Sequence, residues 1–214
     1  MRIIFLDLDT LRPDHLGCYG YFRNTSPNID SIAREGVRFT RYYCSDAPCL
    51  PSRSALSSGM FGIHNGAVGH GGTAADQFIE GEERDFRARF ASTNLFQLFR
   101  RAGMYTASIS TFAERHTSYW YYGGFNEIHN IGSGGGERAD QVSPIAIDWI
   151  KKNGKKDNWF LHINMWDAHT TYRTPAEFGN PFDGDDFFEH TWMTQESIDR
   201  QRKEASPHGV REIG

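Results

Sequence analysis

The sequence predicts an α/β fold in which a predominantly parallel sheet carries helices on both faces. Short apolar runs rich in β-branched and aromatic residues alternate with amphipathic segments, which is typical of this class. Acidic, cysteine or histidine residues also follow soon after several of these runs, at the sheet edge where α/β proteins bind ligands. We predict four strands, over residues 3–8, 37–43, 105–110 and 159–165.

The composition gives no reason to expect a nucleic acid or a membrane as a partner. The 214 residues suffice for one large core or two small ones, and their net charge is −4. No segment is apolar for long enough to span a bilayer. The three cysteines do not form a disulfide framework. Met1 leads straight into a strand, which predicts a cytoplasmic location, or a periplasmic or secreted one if a signal was removed.

The first strand, residues 3–8, runs into closely spaced carboxylates. Asp7 and Asp9 lie at its end, where a buried carboxylate is costly unless it binds something. Asp14 and His15 follow in a predicted turn. We interpret Asp7 as an orienting or capping acid.

A helix is predicted next, because a capping residue, a proline and a glycine bracket an apolar face. Ser26 is the predicted N-cap, Pro27 takes the first position and Gly36 ends the helix. Its predicted inner face contains Ile29, Ile32 and Ala33. The strand over residues 37–43 then leads to the motif that follows.

That motif is the run Cys-Leu-Pro-Ser-Arg at residues 49–53. Pro51 suits the first turn of a helix and Gly59 a helix end. Cys49 then lies at a helix N-terminus, where free N–H groups favour an anion. Arg53 follows one turn later and offers a fork of donors to a tetrahedral oxyanion.

These residues resemble the Cys-x-Pro-x-Arg signature of type I sulfatases, in the alkaline phosphatase superfamily. The resemblance implies that a formylglycine-generating enzyme oxidises Cys49 to formylglycine, whose hydrate attacks a sulfate ester with one hydroxyl and expels sulfate with the other. Arg53 and a divalent metal would hold the charge that develops. The implied metal is Ca²⁺, with Mg²⁺ or Mn²⁺ as alternatives, and residue 49 would also face it.

Two further blocks extend the resemblance. The Leu-Arg-Pro run at residues 11–13 aligns with the first metal-binding block of sulfatases, which implies that Asp9 is a metal ligand. Thr10 stands where a second aspartate is common. The run Trp-Asp-Ala-His at residues 166–169 resembles the loop whose histidine contacts the sulfate or the leaving-group oxygen, which implies that role for His169.

The chain departs from the family where a Lys-x-His pair usually binds sulfate, since Thr-Phe-Ala occupies the aligned positions 111–113. Arg115 and His116 come shortly afterwards and could supply replacement charges, so His116 is a candidate site residue. His64 and His70 lie in a glycine-rich stretch, residues 61–81, where either could touch substrate, although a plain loop role is favoured.

The remaining segments are predicted mainly as framework. Residues 131–137 are predicted to form a flexible connection, and residues 138–152 an amphipathic helix. His162 lies inside the last strand and is interpreted as a core histidine. The acidic run at 183–186 is interpreted as a surface loop, with an extra cation site as an alternative, and residues 194–202 as a helix.

The resemblance implies that residues 1–214 are the N-terminal portion of a sulfatase catalytic domain whose C-terminal part is absent. Sulfatases usually carry a later Asp-Asn or Asp-His block, and none follows His169. The expected function is hydrolysis of organic sulfate esters, with a sulfated small molecule or glycan as substrate. The alternatives are phosphonate or phosphate ester hydrolysis on the same scaffold, and a catalytically incomplete fragment that only binds sulfated ligands.

Overall fold

The computed structural model describes residues 1–77, 93–169, 174–179, 181–182 and 196. The chain divides into two compact units, Met1–Trp166 and Asp167–Gly214. Every strand and α-helix described below belongs to the first unit. These elements are, in chain order, β1 (Arg2–Leu8), α1 (Pro27–Glu35), α2 (Cys49–Ser58), α3 (Gly62–Asn65), α4 (Leu95–Arg101), β2 (Tyr105–Ile109), α5 (Phe112–His116), β3 (Glu127–His129), α6 (Ala139–Asn153) and β4 (Trp159–Met165).

The four strands form one sheet in the order β1-β4-β2-β3, and every neighbouring pair is parallel. In the register of the two central strands, Ile109 of β2 lies beside Ile163 of β4. Because the strands are parallel, their carboxyl ends meet at one edge of the sheet. Asp9 follows β1 and Trp166 follows β4 at this edge, and the backbone N–H of Asp9 donates to Met165.

Helices cover both faces of the sheet, which confirms the predicted architecture. One face packs against α2, α4 and α5, and the other against α6. β4 lies between two strands and alternates its side chains between these layers, so nearly all of it is buried. The first core contains Leu50, Phe96, Phe112, Tyr121 and Phe160; the second contains Ala107, Ile109, Val142, Trp149, Leu161 and Ile163.

The predicted strand over residues 37–43 is wrong, since this segment has no strand conformation. Its large side chains are exposed, with Val37 at 82% and Tyr43 at 83%. A β-branched and aromatic composition favours a strand only where a neighbouring strand supplies backbone partners. The sequence analysis also missed one strand, β3. Its three residues are too few for a strand pattern to be visible in the sequence. Asn126, just before β3, donates its backbone N–H to Thr106 of β2.

Helix α1 forms as predicted, but it has no buried residue. Ile32, assigned to its inner face, is 73% exposed. The Ser26 side chain makes no capping bond to the helix backbone; its hydroxyl donates to Asp30 and accepts from the backbone N–H of Gly17. The serine therefore fastens the helix to the preceding turn.

Helix α2 follows the local prediction closely. It begins at Cys49, has Pro51 in its first turn, and is capped at its end by Gly59. Gly59 adopts a left-handed conformation with φ of 68° and donates its N–H to Ala55, as a helix-ending glycine commonly does. None of the helices in the described part of the chain is both long and apolar enough to cross a bilayer.

Candidate active site

Cys49, the first residue of α2, lies beside two imidazole rings. Its Sγ is 3.2 Å from Nε2 of His70 and 3.7 Å from Nε2 of His116. The ring centroids of the two histidines are 5.0 Å apart. A reactive side chain at position 49 therefore has two nitrogen atoms within or close to hydrogen-bonding range.

His70 lies in the glycine-rich loop, where the sequence favoured a loop role without a site contact. Backbone bonds close this loop, because the N–H groups of Val68 and Gly69 both donate to the carbonyl of Ala74, at 2.7 and 2.8 Å. A Cβ on Gly69 would lie 3.2 Å from that of Ala74, so the glycine permits the close approach. The histidine flanked by glycines was the signal in the sequence, but only the fold brings it to Cys49.

His116, predicted as a site residue, ends α5 and is 8% exposed. Its ring lies 4.7 Å from that of Phe112 and 6.1 Å from that of Trp166, measured between centroids. Burial lowers the pKa of His116, and the positive charges of His70 and Arg115 add to this, so that it falls to about 4. The ring is therefore neutral near pH 7.

Arg53 is 7% exposed and joins α2 to the end of β1 through three charged hydrogen bonds. Its Nε and Nη2 donate to the two carboxylate oxygens of Asp7 at 2.6 and 2.8 Å, and its Nη1 donates to Asp9 at 2.9 Å. Burial alone would lower the pKa of Arg53, but the charge of Asp7 raises it above its usual value. The guanidinium therefore stays charged inside the site.

Two buried polar side chains, those of Ser108 and His162, form a chain of contacts that leads to Asp7 and orients it. His162 is fully buried, with Nδ1 2.9 Å from the hydroxyl of Ser108 and Nε2 3.7 Å from Asp7. Burial raises the pKa of Asp7, but His162 and Arg53 together outweigh it and lower that pKa to about 2. His162 is thus a core histidine, as predicted, and Asp7 is the orienting acid that the sequence indicated.

The connection over residues 131–137, predicted as flexible, is tethered by a buried glutamate. The carboxylate of Glu137 accepts from the hydroxyl of Thr111 and, at 3.1 Å, from the N–H of Gly135. Trp166 donates to the same threonine at 3.1 Å. The guanidinium of Arg115 stacks 4.5 Å above a Trp166 ring. These contacts fix the position of the Trp166 indole, on which the guanidinium of Arg115 stacks.

The electrostatic surroundings keep Cys49 a thiol. Burial raises its pKa and Asp9 raises it further, while Arg53, the N–H of Leu50 and Arg115 only partly oppose this. A cysteine nucleophile must be a thiolate and needs a depressed pKa. The unmodified side chain is therefore poorly suited to act as a nucleophile. The Cys-x₅-Arg spacing of cysteine-dependent phosphatases is also absent from the sequence.

The described residues do not make a cation site on their own. One oxygen of Asp9 accepts from Arg53 and the other from the hydroxyl of Thr10, at 2.9 and 2.7 Å. Within the described residues, no group of three or more His, Cys, Asp or Glu is arranged to hold a metal ion. Calcium takes six to eight oxygen ligands, so Asp9 and residue 49 are too few.

Other predicted positions lie outside the first unit. His169 belongs to the second unit, Asp167–Gly214, and its contact with a sulfate or a leaving group stays a prediction. The acidic run 183–186 lies outside the described residues, as does the predicted helix 194–202 except for Glu196.

The chain belongs to the sulfatase family, because the family model described as Sulfatase matches residues 2–197. The parallel sheet with helices on both faces is the fold of solved sulfatase-like structures. The predicted recognition of this family from the residue 49–53 motif is confirmed.

Curated relatives match part of the chain, and solved structures share its fold. Arylsulfatase A of Homo sapiens is 41% identical over 65 residues, which are 30% of this chain and 13% of that protein. A structure solved with its substrate D-glucosamine-2-N,6-O-disulfate has a TM-score of 0.60 and 22% identity, over 78% of this chain and 34% of that one. A phosphonate monoester hydrolase of Agrobacterium radiobacter has a TM-score of 0.55 and 19% identity, over 77% and 40%. The chain thus covers less than half of each relative.

Proposed function

We propose that the protein hydrolyses organic sulfate esters with a formylglycine nucleophile made from Cys49. The observation that carries this proposal is the position of Cys49 beside two imidazole nitrogens, at the start of the helix that also bears Arg53. Burial and Asp9 raise the pKa of the thiol, so cysteine itself is a poor nucleophile there. Oxidation to formylglycine replaces the thiol, so the raised pKa of the thiol no longer limits the reaction.

The surroundings of Cys49 suit an oxygen-bearing side chain. Hydroxyl groups in place of Sγ would find partners in Nε2 of His70 and of His116, which lie 3.2 and 3.7 Å from the sulfur. When present, formylglycine supplies a hydrated aldehyde, whose one hydroxyl attacks sulfur and whose other hydroxyl serves to release sulfate. The substrate oxygens would then lie over the first turn of α2.

The residues of this chain would hold the charge of the sulfate group. Arg53 has five N–H groups and uses three on Asp7 and Asp9, which leaves two for an anion. The guanidinium is buried, so its field is less screened than in water. Arg115 also acts on residue 49, since it opposes the rise in the pKa of Cys49. We propose His169 as the group that assists the leaving oxygen.

A divalent cation is part of the proposal at the family level only. The resemblance implies Ca²⁺, or Mg²⁺ or Mn²⁺, with Asp9 and residue 49 among its ligands. Because the described residues do not complete such a site, no step of the proposal runs through the cation.

The proposed substrate is a sulfated small molecule or glycan. Its support is the fold similarity to a protein whose substrate is a disulfated glucosamine. The proposed protein partner is a formylglycine-generating enzyme, because a cysteine must be oxidised before the reaction can begin.

The test combines mass spectrometry with kinetics on the protein at its natural length, produced together with a formylglycine-generating enzyme. We expect the peptide that contains residue 49 to have the mass of formylglycine, and the protein to hydrolyse an aryl sulfate. The variant Cys49→Ala, whose methyl group has no sulfur or oxygen to be oxidised to the aldehyde, should lose turnover. An unmodified thiol in fully active protein would contradict the proposal.

A second candidate is hydrolysis of phosphonate or phosphate esters. The fold similarity to a phosphonate monoester hydrolase supports it. Side-by-side kinetics on an aryl sulfate and an aryl phosphonate distinguish the two, because the enzyme should have the larger kcat/KM for its own class of ester. The third alternative, a fragment that only binds sulfated ligands, predicts binding without turnover.

A further inference from the structure

We propose that His70 is a substrate-contacting residue, which holds the sulfate group of the ester against residue 49 from the solvent side of the site. This inference rests on the proposed function and assigns a residue that the sequence motifs do not mark.

The first support is the geometry around residue 49. Nε2 of His70 is the nearer of the two ring nitrogens to Sγ, at 3.2 Å against 3.7 Å for His116. A reacting ester places its sulfur about 3–3.5 Å from the attacking atom before the bond forms. The sulfate oxygens then lie within reach of an N–H donor that is itself close to that atom.

The second support is the difference in exposure between the two histidines. His116 is buried against Phe112 and Trp166, so it lines the inner wall of the site. His70 is exposed, yet it has a ring nitrogen beside Cys49. An ester that approaches from solvent would therefore meet His70 before it meets His116.

The third support is that main-chain bonds and a glutamine side chain hold the loop beside the site. The Val68 and Gly69 N–H groups bond to Ala74 inside the loop. At its far end, the side-chain amide of Gln77 donates to the hydroxyl of Ser54 on α2 at 2.6 Å. The loop is thus fastened to the helix that carries Cys49 and Arg53, which keeps position 70 near residue 49.

The fourth support is that the oxygens of a bound sulfate group need hydrogen-bond donors. Three of the N–H groups of Arg53 are already committed to carboxylates. Residues 111–113 are Thr-Phe-Ala, whose side chains offer a sulfate no positive charge. An imidazole N–H from His70 would add a donor on the exposed side of the anion.

The experiment compares His70→Ala with His64→Ala and with His70→Gln in the formylglycine-containing protein at its natural length. His64 is a matched control, since it is exposed on the neighbouring α3 and its ring packs edge-on against Phe61 with centroids 6.1 Å apart. His70→Gln keeps an N–H donor of similar reach. The readouts are the Kd of inorganic sulfate by titration calorimetry, kcat/KM for an aryl sulfate, and Tm.

We expect His70→Ala to weaken sulfate binding and to lower kcat/KM by about tenfold each, the effect of one lost hydrogen bond to a charged group. Tm should stay unchanged, His70→Gln should recover most of both losses, and His64→Ala should match the wild type. If sulfate binding and turnover survive in His70→Ala, the inference is overturned while the proposed function stands. An equal loss in His64→Ala would also overturn it, because the effect would then belong to the loop as a whole. A wild-type protein that neither binds sulfate nor hydrolyses aryl sulfates overturns the proposed function, and this inference with it.

Discussion

Two regions of the first unit have similar sequence patterns and very different surroundings. The central strands β2 and β4 are almost entirely enclosed between α6 and the helices of the opposite face. The outer segment, residues 27–43, has an equally clear helical and strand-like pattern, yet α1 buries no residue and the following stretch is exposed. The difference teaches that an apolar pattern becomes a structural element of the core only where a neighbour covers it.

Arg53 of the candidate site is buried, like the central strands, so it should also matter for folding. The largest expected effect is that of Arg53→Ala. This change leaves the buried carboxylate of Asp9 and the partly buried carboxylate of Asp7 without their cation, and removal of one partner from a buried ion pair costs about 3–5 kcal/mol. Urea unfolding measures the loss.

Arg53→Lys is the matched control, because it keeps the charge but not the two-pronged contact with Asp7. We expect a smaller loss of stability from it, together with impaired turnover. Equal stability of wild type and Arg53→Ala would show that the ion pair contributes nothing to folding.

The second-largest expected effect is the loss of stability when an isoleucine is replaced by alanine, compared between the two regions. Ile109→Ala removes a side chain with no exposed surface from β2 and should destabilise the protein by about 3 kcal/mol. Ile32→Ala removes an exposed side chain from α1 and should change stability by less than about 0.5 kcal/mol. Thermal and urea unfolding of both variants measure the contrast. Similar losses in both would mean that the outer segment is covered in solution.

The third expected effect is a loss of stability of the fold at acidic pH. The pKa of Asp7 is lowered from 3.8 to about 2 in the folded protein. A lowered carboxyl pKa stabilises the fold above the unfolded value, and this contribution is lost as pH falls from about 4 towards 2, by about 2 kcal/mol in all. Unfolding free energies measured across this range should show the loss.

In the Asp7→Asn variant, the free energy of unfolding should fall less steeply between about pH 4 and pH 2, because the group that titrates in this range is gone. An unchanged slope would assign the acid sensitivity to other carboxylates.

The smallest effect tests the tethered connection over residues 131–137. Glu137→Gln keeps the shape of the side chain, but it replaces one acceptor oxygen with a donor that faces the hydroxyl of Thr111 or the N–H of Gly135. We expect a loss of about 1–2 kcal/mol, the cost of an unsatisfied buried polar group. Faster hydrogen exchange at Gly135 would accompany it. No change in either quantity would support the flexible connection that the sequence predicted.

The sequence was most informative where the cause of a structure is local. Pro51 and Gly59 set the first turn and the end of α2, and the motif at residues 49–53 identified the family. The parallel sheet followed from the alternation of strands and helices. The features of α2 depend on neighbours in the chain. The sheet does not, since Arg2 pairs with Trp159, but its class is indicated by the order of the elements along the sequence.

The sequence was least informative where partners lie far apart in the chain. His70 approaches Cys49 across 21 residues, and Glu137 meets Thr111 across 26. Glycines around His70 indicated only a tight loop, and those around Glu137 suggested freedom where the structure has a buried carboxylate. The prediction of a strand at 37–43 was wrong for the opposite reason, because its composition favours a strand but the described part of the chain has no strand paired with it.

The loop that presents His70 has a consequence for how this family branch can diversify. Its conformation depends on main-chain bonds at positions 68, 69 and 74 and on the amide of Gln77, none of which involves the side chain at position 70. These bonds remain available in a variant at position 70. Under the proposed function and the proposed contact of His70 with the sulfate group, single substitutions there would change the selectivity among esters.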